Sequence, residues 1–574
     1  MSKLEQIPIE IRKRVLEWLE GPIDAKSKAE ILDLIEWDQR TLLNAFSSDL
    51  AFGTSGLREL MGVGPNRVNL YTVGKATQGF ANSLREEKKS GPILIAYDNR
   101  KDSYLFASRA AQILAANGIR VYILKEIRPS PFLSYLVLNK KYDGGIMITA
   151  SHNPKEYNGY EIYGVDGGEN SLYQEEKIQN EIKKITSFDQ VIIAPFDDPL
   201  IVWIDPEVWD EEYLQAISDL QSFKEEAREF GASLQIVYSS LHGTGITLIP
   251  KALKSWGFTN LSFVEEQITP DSEFPTLHAP NPGEAGSLTL GVKKLEESHG
   301  DLFIANDCDA DRIGIAVMHQ GQARIFNGNE FATLCAYHLC TAGHPRWHAK
   351  KGAFIISFVT TELVKVIATS FGIACFEVPT GFKYIAEKIN EWDKSKSDYK
   401  FIFGAEESYG CLLGTYARTK DGIAAACFIS EVALHAKRKG KTLVDLLHEI
   451  YCKYGIFREK LYSMEFAEDN ESLQKRINIM EEFRKNPLRQ IGENQVVFVE
   501  DYLQANFYHT DMLLFRLDDE TKVILRPSGT EASLRIHIAC RVKEFSTIEE
   551  GIAKGDHHIE NILQLLLSVI KCLN

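Results

Sequence analysis

From residue 92 onward the chain alternates short apolar runs with segments of helical spacing. "PILIAYD" (92–98) reads as a strand, 104–117 as a helix ended by Gly118, "RVYIL" (120–124) as a strand and "GGIMITAS" (144–151) as another. The grammar repeats: "LQIVYSS" (234–240), a helix near 246–256, "LSFVE" (261–265) and "DLFIAND" (301–307). A third round follows in "AFIISFV" (353–359), "IACFEV" (373–378) and "KFIFGAEES" (400–408), with helices between them. Apolar strands without polar alternation, separated by helices, predict parallel or mixed sheets covered on both faces. Chance repetition of ordinary α/β grammar would give the same pattern.

The two ends of the chain differ. After Pro8, Ile11, Val15, Trp18 and Leu19 recur at helical spacing, and one further helical run spans Ile31 to Leu43. From about 456, "LYSMEF" (461–466), a helix at 471–485, "VVFVE" (496–500), "MLLFRL" (512–517), "KVILRPSGT" (522–530), "LRIHIAC" (534–540) and a helix near 547–570 suggest a smaller α+β domain. The expected fold class is α/β: a helical extension (1–50), three similar α/β domains with mixed sheets (51–205, 206–325, 326–455) and an α+β domain (456–574), around a central cleft.

The 574-residue length supports this division, because single cores rarely grow past about 250–300 residues. A hydrophobic fraction of 44% and a charged fraction of 25% are those of an ordinary soluble protein. A formal net charge of −16 argues against a nucleic-acid or anionic-membrane partner, though it leaves room for a local basic pocket. No apolar stretch reaches the roughly 18 residues of a spanning helix, and the N-terminus lacks the apolar core of a secretory signal. Nine scattered cysteines, with no C-x-x-C pair, read as reduced thiols in the cytoplasm.

In each α/β round a buried strand runs directly into a polar loop, at Ser151, Asp307 and Glu406. Ligands of open α/β sheets sit beyond the carboxyl ends of the strands. "TASHNPKEYNGYEIYG" (149–164) is by itself equally a surface turn, since Asn-Pro and Asn-Gly are turn dipeptides. "NDCDADRIG" (306–314) is more specific. Asp307, Asp309 and Asp311 repel one another unless a cation neutralises them, and oxygen-only ligation suits a hard ion such as Mg²⁺. An EF-hand is excluded by Arg312 at its sixth position and Met318 at its twelfth, and Cys308 is expected to point away from the ligand side. "LRPSGTEASLR" (525–535) offers Arg526, Ser528, Gly529, Thr530 and Arg535, either a phosphate cradle or a polar hairpin turn. "GTSGLRE" (53–59) with Arg58, "PTGFKYI" (379–385) with Thr380, Gly381 and Lys383, and "GAEESYG" (404–410) with Glu406, Glu407 and Ser408 are weak signals separately.

In order, "GTSGLR", "TASHNP", "DCDADR", "GAEES" and "RPSGT" resemble the α-D-phosphohexomutase superfamily of phosphoglucomutases and phosphomannomutases, from about residue 50 to the C-terminus. The helical preface ending in "IEWDQRT" (35–41), with "NGYEIYG", is most similar to the branch of phosphoglucomutases and phosphopentomutases. The resemblance implies that Ser151 carries a phosphoryl group, which completes an Mg²⁺ shell begun by Asp307, Asp309 and Asp311. It implies transfer of that group to a hexose monophosphate, giving a bound 1,6-bisphosphate, with glucose 1,6-bisphosphate as activator. It places Arg312 at the transferring group, Arg58, His152 and Lys383 along the cleft, Glu406 and Ser408 on the sugar hydroxyls, and Thr380, Gly381 and Lys383 among the substrate-binding residues. The non-reacting phosphate falls to Arg526, Ser528, Gly529, Thr530 and Arg535. A monomer or small homo-oligomer acting on small sugar phosphates, without nucleic acid or membrane, is expected.

One position departs from that pattern: Glu161 stands where many members carry lysine. The expectation is that Glu161 turns to solvent and pairs with a surface cation such as Lys155. The alternative has it face the serine among like charges, which raises a carboxyl pKa and suits a proton carrier. Three other functional readings stay open: phosphomannomutase, phosphopentomutase or sugar-1,6-bisphosphate synthase activity; a HAD-type phosphotransferase with Asp307 as nucleophile; and a non-catalytic sugar-phosphate sensor.

Overall fold

The apolar run at Ile93–Tyr97 has no polar face, and the structure buries every residue of it as the strand β2. It belongs to a six-stranded mixed sheet of β1 (Leu57–Leu60), β2, β3 (Val121–Leu124), β4 (Gly144–Ile148), β5 (Tyr157–Tyr163) and β6 (Ile201–Ile204), in the order β1-β5-β4-β2-β3-β6. β4, β2, β3 and β6 run parallel, while β5 is antiparallel to both β4 and β1. Alanines 107, 110 and 111 and Leu114 of the helix Ser103–Ala116 pack on the sheet with Val73, Ala76 and Phe80 of the helix Leu70–Glu86. The small residues allow the helix backbone to approach the sheet closely. A second mixed sheet joins β7 (Ile236–Ser239), β8 (Leu261–Phe263), β9 (Leu302–Asn306), β10 (Ile313–His319) and β11 (Gln322–Phe326), in the order β11-β10-β9-β7-β8.

The computed structural model describes residues 3–50, 56–342, 351–466, 470–505, 508, 510–528 and 533–573. Its residues fall into two compact units. Both sheets above lie in the first, which comprises Met1–Asn327, Phe382–Ser397 and Ser408–His435. The second comprises Gly328–Gly381, Asp398–Glu407 and Ala436–Asn574. It contains the parallel strands β12 (Gly352–Ser357), β13 (Ala374–Val378) and β14 (Lys400–Glu406), with β12 between the other two. Strand β15 (Gly410–Leu413) lies in the first unit. The second unit also holds a wholly antiparallel six-stranded sheet: β16 (Ile456–Glu465), β17 (Gln490–Ile491), β18 (Asn494–Asp501), β19 (Leu513–Leu517), β20 (Lys522–Pro527) and β21 (Ser533–Val542), in the order β16-β21-β20-β19-β18-β17. One face of this sheet packs Phe515, Val523, Ile536 and Ile538 against Ile479 and Phe483 and against Ile559, Leu563 and Leu566 of the last helix. Its other face meets Phe358 and Val359, just beyond β12, through Leu514 and Ile524. Among the described residues no helix is long and apolar enough to cross a membrane.

Three differences from the sequence reading have physical causes. The N-terminal run from Ile31 to Leu43 is two helices, Ala25–Trp37 and Gln39–Phe46. Asp38 divides them, because its carboxylate accepts from the Thr41 amide (3.1 Å) and hydroxyl (2.7 Å) as an N-cap. Asn158-Gly159 is the interior of β5 and not a turn; Gly159 is needed there because both sides of the strand are crowded by backbone. The sequence reading leaves out β1, β6, β10, β11, β15 and β17; β1, β6 and β15 are only four residues long and β17 only two, β11 has a single buried residue, and β10, although apolar, follows directly on the aspartate loop.

The second unit contains a buried charge group with a readable acid response. Lys522, with no exposed side-chain surface, donates to the Phe358 carbonyl at 2.9 Å and sits 3.5 Å from Glu362. Arg516 donates to both carboxylate oxygens of Glu362, at 2.6 and 3.3 Å. Burial pushes the Glu362 carboxyl up, but Lys522 and then Arg516 outweigh it and hold it down at about 2. A depressed folded-state pKa stabilises the fold above the unfolded value, 4.5, and that stability is lost as pH falls towards 2. The Glu362→Gln variant is therefore expected to lose on the order of 3 kcal/mol at neutral pH and to show a flatter fall in stability between those limits. Urea unfolding followed across that pH range checks it.

Candidate functional site

Strand β4 ends at Ile148, and the chain leaves it through Thr149 and Ala150 to Ser151, whose φ is +47°. A left-handed serine is strained unless its surroundings fix it. Here they do. The Ser151 amide donates to Thr149 Oγ1 at 2.8 Å. The Arg100 guanidinium, buried behind the turn, donates to the carbonyls of Ser151 (2.6 Å), Asn153 (2.5 Å), Pro154 (2.8 Å) and Tyr157 (3.1 Å). Asp98 anchors Arg100 in turn, accepting from its amide at 2.9 Å and lying 3.4 Å from its Nε, while Phe274 covers its plane at 5.1 Å. The sequence reading passed over Arg100, although "YDNRK" follows a buried strand end as Ser151 does.

This turn aims Ser151 at the second sheet. Ser151 Oγ donates to Asp307 Oδ2 at 2.7 Å and lies 3.2 Å from His152 Nδ1. Asp307 is the residue immediately after β9, and its loop carries Asp309 and Asp311. All three are buried, and one oxygen of each lies within 4.8 Å of the others. Asp307 Oδ1 accepts from the Arg312 amide at 3.0 Å, and Asp309 Oδ2 accepts from Ser130 Oγ at 2.6 Å. Asp309 Oδ1 and Asp311 Oδ1 are buried with no hydrogen-bond partner among the described residues. Burial, then Asp311, pushes the Asp307 carboxyl up to about 6; burial, then Asp311 and Asp307, raises that of Asp309 well above its ordinary value. Orphaned buried oxygens on crowded carboxylates fit a divalent cation with hard, oxygen-preferring chemistry. Cys308 points away, as expected, with Sγ 3.3 Å from Asp98 Oδ2.

Cations ring the cluster. Arg312 Nε lies 3.9 Å from Asp307 and 3.7 Å from Asp311. Lys420 Nζ, which the sequence reading missed, is 3.1 Å from Asp311 Oδ2. Its only sequence signal is a polar "TKDG" following β15. Burial, then Arg312, Arg58, Lys420 and Arg100, holds His152 well below its ordinary pKa, so the imidazole is neutral. Arg58 of β1 donates through Nη2 to Glu161 Oε1 at 2.8 Å and through Nη1 to Asn153 Oδ1 at 3.5 Å.

That contact corrects the expectation for Glu161. Its side chain is 6% exposed and not turned to solvent, and Lys155 pairs with Glu273 at 2.9 Å. Residue 161 lies two along β5 from Gly159, the residue opposite Arg58, so the two side chains share a face of the sheet. Burial pushes the Glu161 carboxyl up to about 8 even though Arg58 favours its charged form. Lys383 also differs from expectation. It is fully buried and donates to both oxygens of Glu175, at 3.1 and 3.2 Å, in the packing of the helix Phe382–Ser395 on the helix Leu172–Lys183. Ser408 is half-buried in the first unit.

The second unit gathers the other candidates. The Gly381 amide donates to Glu406 Oε1 at 2.8 Å, joining two motifs 25 residues apart, with Thr380 half-buried beside them. Glu407 accepts from Ser357 Oγ at 3.1 Å, and its carboxyl is raised by burial and by Glu406, with Arg526 opposing. Arg526 and Arg535 are directly opposite each other on β20 and β21, and the Ser528 amide donates to the Ser533 carbonyl at 2.9 Å. Gly529 and Thr530 lie outside the described residues.

Three family models match the chain: phosphoglucomutase/phosphomannomutase α/β/α domain I at residues 49–189, domain II at 211–321 and domain III at 327–454. The phosphoglucomutase of Staphylococcus aureus strain N315 is 34% identical over 551 residues, 93% of this chain and 97% of that one. The phosphoglucomutase of strain MRSA252 is 34% identical over 523 residues, 88% of this chain and 92% of that one. In fold, the chain is similar to Paramecium pp63/parafusin, a phosphoglucomutase in an open form (TM-score 0.68, 19% identity, 91% and 95% covered). It is also similar to a phosphoglucomutase/phosphomannomutase family protein from Burkholderia thailandensis (TM-score 0.67, 15% identity, 92% and 98% covered).

The close approach of β1, β5 and the serine turn makes a prediction. A Cβ on Gly159 would lie 2.3 Å from the Thr149 carbonyl oxygen and 2.8 Å from that of Leu57, both backbone atoms that cannot swing aside. Gly159→Ala is expected to cost about 1–3 kcal/mol or more in denaturant unfolding, the usual range for overpacking. An unchanged midpoint would mean that the strand and turn are loose enough to part.

Proposed function

Because the chain belongs to the phosphoglucomutase/phosphomannomutase family, we propose that it interconverts glucose 1-phosphate and glucose 6-phosphate through a phosphoseryl enzyme. The observation that carries this reading is the Ser151 hydroxyl, fixed on a rigid turn and 2.7 Å from the buried carboxylate cluster. Phosphoryl transfer is mainly a problem of positioning and of stabilising charge on the transferring oxygens. Ser151 supplies the phosphoryl group. Its P–O bond breaks as a bond forms to the free hydroxyl of the sugar phosphate, whose proton ends on Ser151 Oγ, and the resulting 1,6-bisphosphate returns its other phosphoryl group to Ser151 as the serine proton passes back to the sugar oxygen.

Asp307, Asp309 and Asp311 would hold Mg²⁺, with the phosphoserine completing the shell. When bound, the ion neutralises charge on the transferring phosphoryl group. Arg58 and Arg312 would face the same group, and a neutral His152 would border it without adding positive charge. Thr380, Gly381, Glu406 and Ser408 would take the sugar, and Arg526, Ser528, Gly529, Thr530 and Arg535 the non-reacting phosphate. Lys383 is assigned to packing, given its bond to Glu175. On this reading, residues 51–205 carry the phosphoryl group, 206–325 the metal loop, 326–455 the sugar loop and 456–574 the distal phosphate loop. Glucose 1,6-bisphosphate would act as activator by phosphorylating Ser151. A cytoplasmic setting is consistent with nine cysteines that are all unpaired.

Gently purified protein should carry phosphate on Ser151 by mass spectrometry, and Ser151→Ala should abolish turnover of glucose 1-phosphate. Chelation should stop the reaction and added Mg²⁺ restore it. Phosphate on Asp307 would favour a HAD-type transfer, and a faster rate with mannose or pentose 1-phosphate would reassign the sugar. Arg526→Ala should raise KM for glucose 1-phosphate roughly ten- to a hundredfold, the worth of one charge-assisted contact, with a smaller effect on kcat. A normal KM in that variant would move the distal phosphate elsewhere.

A further inference from the structure

Arg58 is half-buried beside the serine turn, and the structure gives its guanidinium unequal support. Nη2 bonds Glu161 at 2.8 Å, Nη1 reaches Asn153 only at 3.5 Å, and Nε is buried with no hydrogen-bond partner among the described residues. Burial alone would lower the Arg58 pKa; Glu161, then Asp309 and Asp311, more than offset it. The guanidinium therefore lies in the field of the carboxylate cluster, yet its one short contact is to Glu161. A long flexible cation held at one point has its direction set by that point. The backbone beneath is rigid, since a Cβ on Gly56 would lie 2.3 Å from the Tyr160 carbonyl oxygen, and Gly159 is equally crowded.

We propose that Glu161 is a positioning residue for phosphoryl transfer: its carboxylate clamps Arg58 Nη2 and turns the guanidinium towards the phosphoryl group on Ser151. The inference rests on the mutase reading above and adds to it a residue that does not itself touch substrate. The clamp differs from a packing contact because it acts on a cation whose direction matters only during transfer. The groups facing Glu161 are Arg58 from β1, Tyr163 on its own strand with its hydroxyl 3.4 Å from Oε2, Glu169 beyond β5, Lys420, and Asp309 and Asp311 from the metal loop. Burial raises the carboxyl pKa against the pull of Arg58 and Lys420.

The test is a double-mutant cycle in the full-length phosphoenzyme with Mg²⁺ and glucose 1-phosphate. Glu161→Gln, nearly isosteric, should lower kcat about ten- to a hundredfold, as small misplacements of catalytic groups do, with KM within about twofold. In an Arg58→Ala background the same change should have no further effect. Glu161→Asp, which keeps the charge, should recover part of the loss. Undiminished kcat in Glu161→Gln, or multiplicative losses in the double variant, would overturn the clamp while leaving the mutase reading intact. If Glu161→Gln fails to fold, Glu161→Met, of similar volume and without the charge, decides: undiminished kcat in that variant overturns the clamp. A wild-type protein without mutase turnover would overturn the underlying reading and the clamp together.

Discussion

A guanidinium removed from water needs acceptors for its donors, and that constraint, met at both terminal nitrogens of Arg100, shapes the serine turn. All four of its terminal contacts go to backbone carbonyls between Ser151 and Tyr157, so the turn cannot relax without stranding buried donors. Asp98 fixes the other end of Arg100 and also accepts from Ser103 Oγ at 2.7 Å. The left-handed backbone at Ser151 is thereby held by interactions that do not involve its hydroxyl. The hydroxyl is left for Asp307.

The second constraint is electrostatic. Three buried carboxylates on one loop would be strongly unfavourable in isolation. The fold answers with the Arg312 amide and guanidinium, the Ser130 hydroxyl at the start of the helix Ser130–Lys140, and Lys420 from a loop more than a hundred residues away in sequence. These contacts draw the first and second sheets together at the carboxyl ends of β4 and β9. Two carboxylate oxygens nonetheless find no hydrogen-bond donor among the described residues, which is the signature of a centre completed by something other than protein.

Much of this was legible in the chain. The buried parallel strands were readable because each is an unbroken apolar run, and the strand-end placement of Ser151, Asp307 and Glu406 followed from them. The aspartate cluster was readable because alternate acidic residues beside a buried strand repel one another until a cation joins them. What failed to show was set by partners distant in sequence. Gly159 looks like a turn residue until β1 is placed beside it, and Asp38 looks like a surface acid until it caps a helix. Lys383 sits in a motif, but its ammonium goes to Glu175, 208 residues away. Glu161 reads as a solvated acid by default, and only its sheet register with Arg58 places it indoors.

Cys308 lends itself to a different use of the structure. Its thiol is wholly buried between the serine-bearing and aspartate-bearing sheets, against Asp98 and Asn99, and burial raises its pKa well above the ordinary thiol value. Cys452 and Cys572, by contrast, are exposed. A thiol that is both protonated and enclosed reacts with alkylating reagents only when its enclosure opens. The seam between the two sheets thus contains its own chemical clock: the rate at which Cys308 is labelled, once the surface thiols are blocked, times the opening of that seam in the native protein.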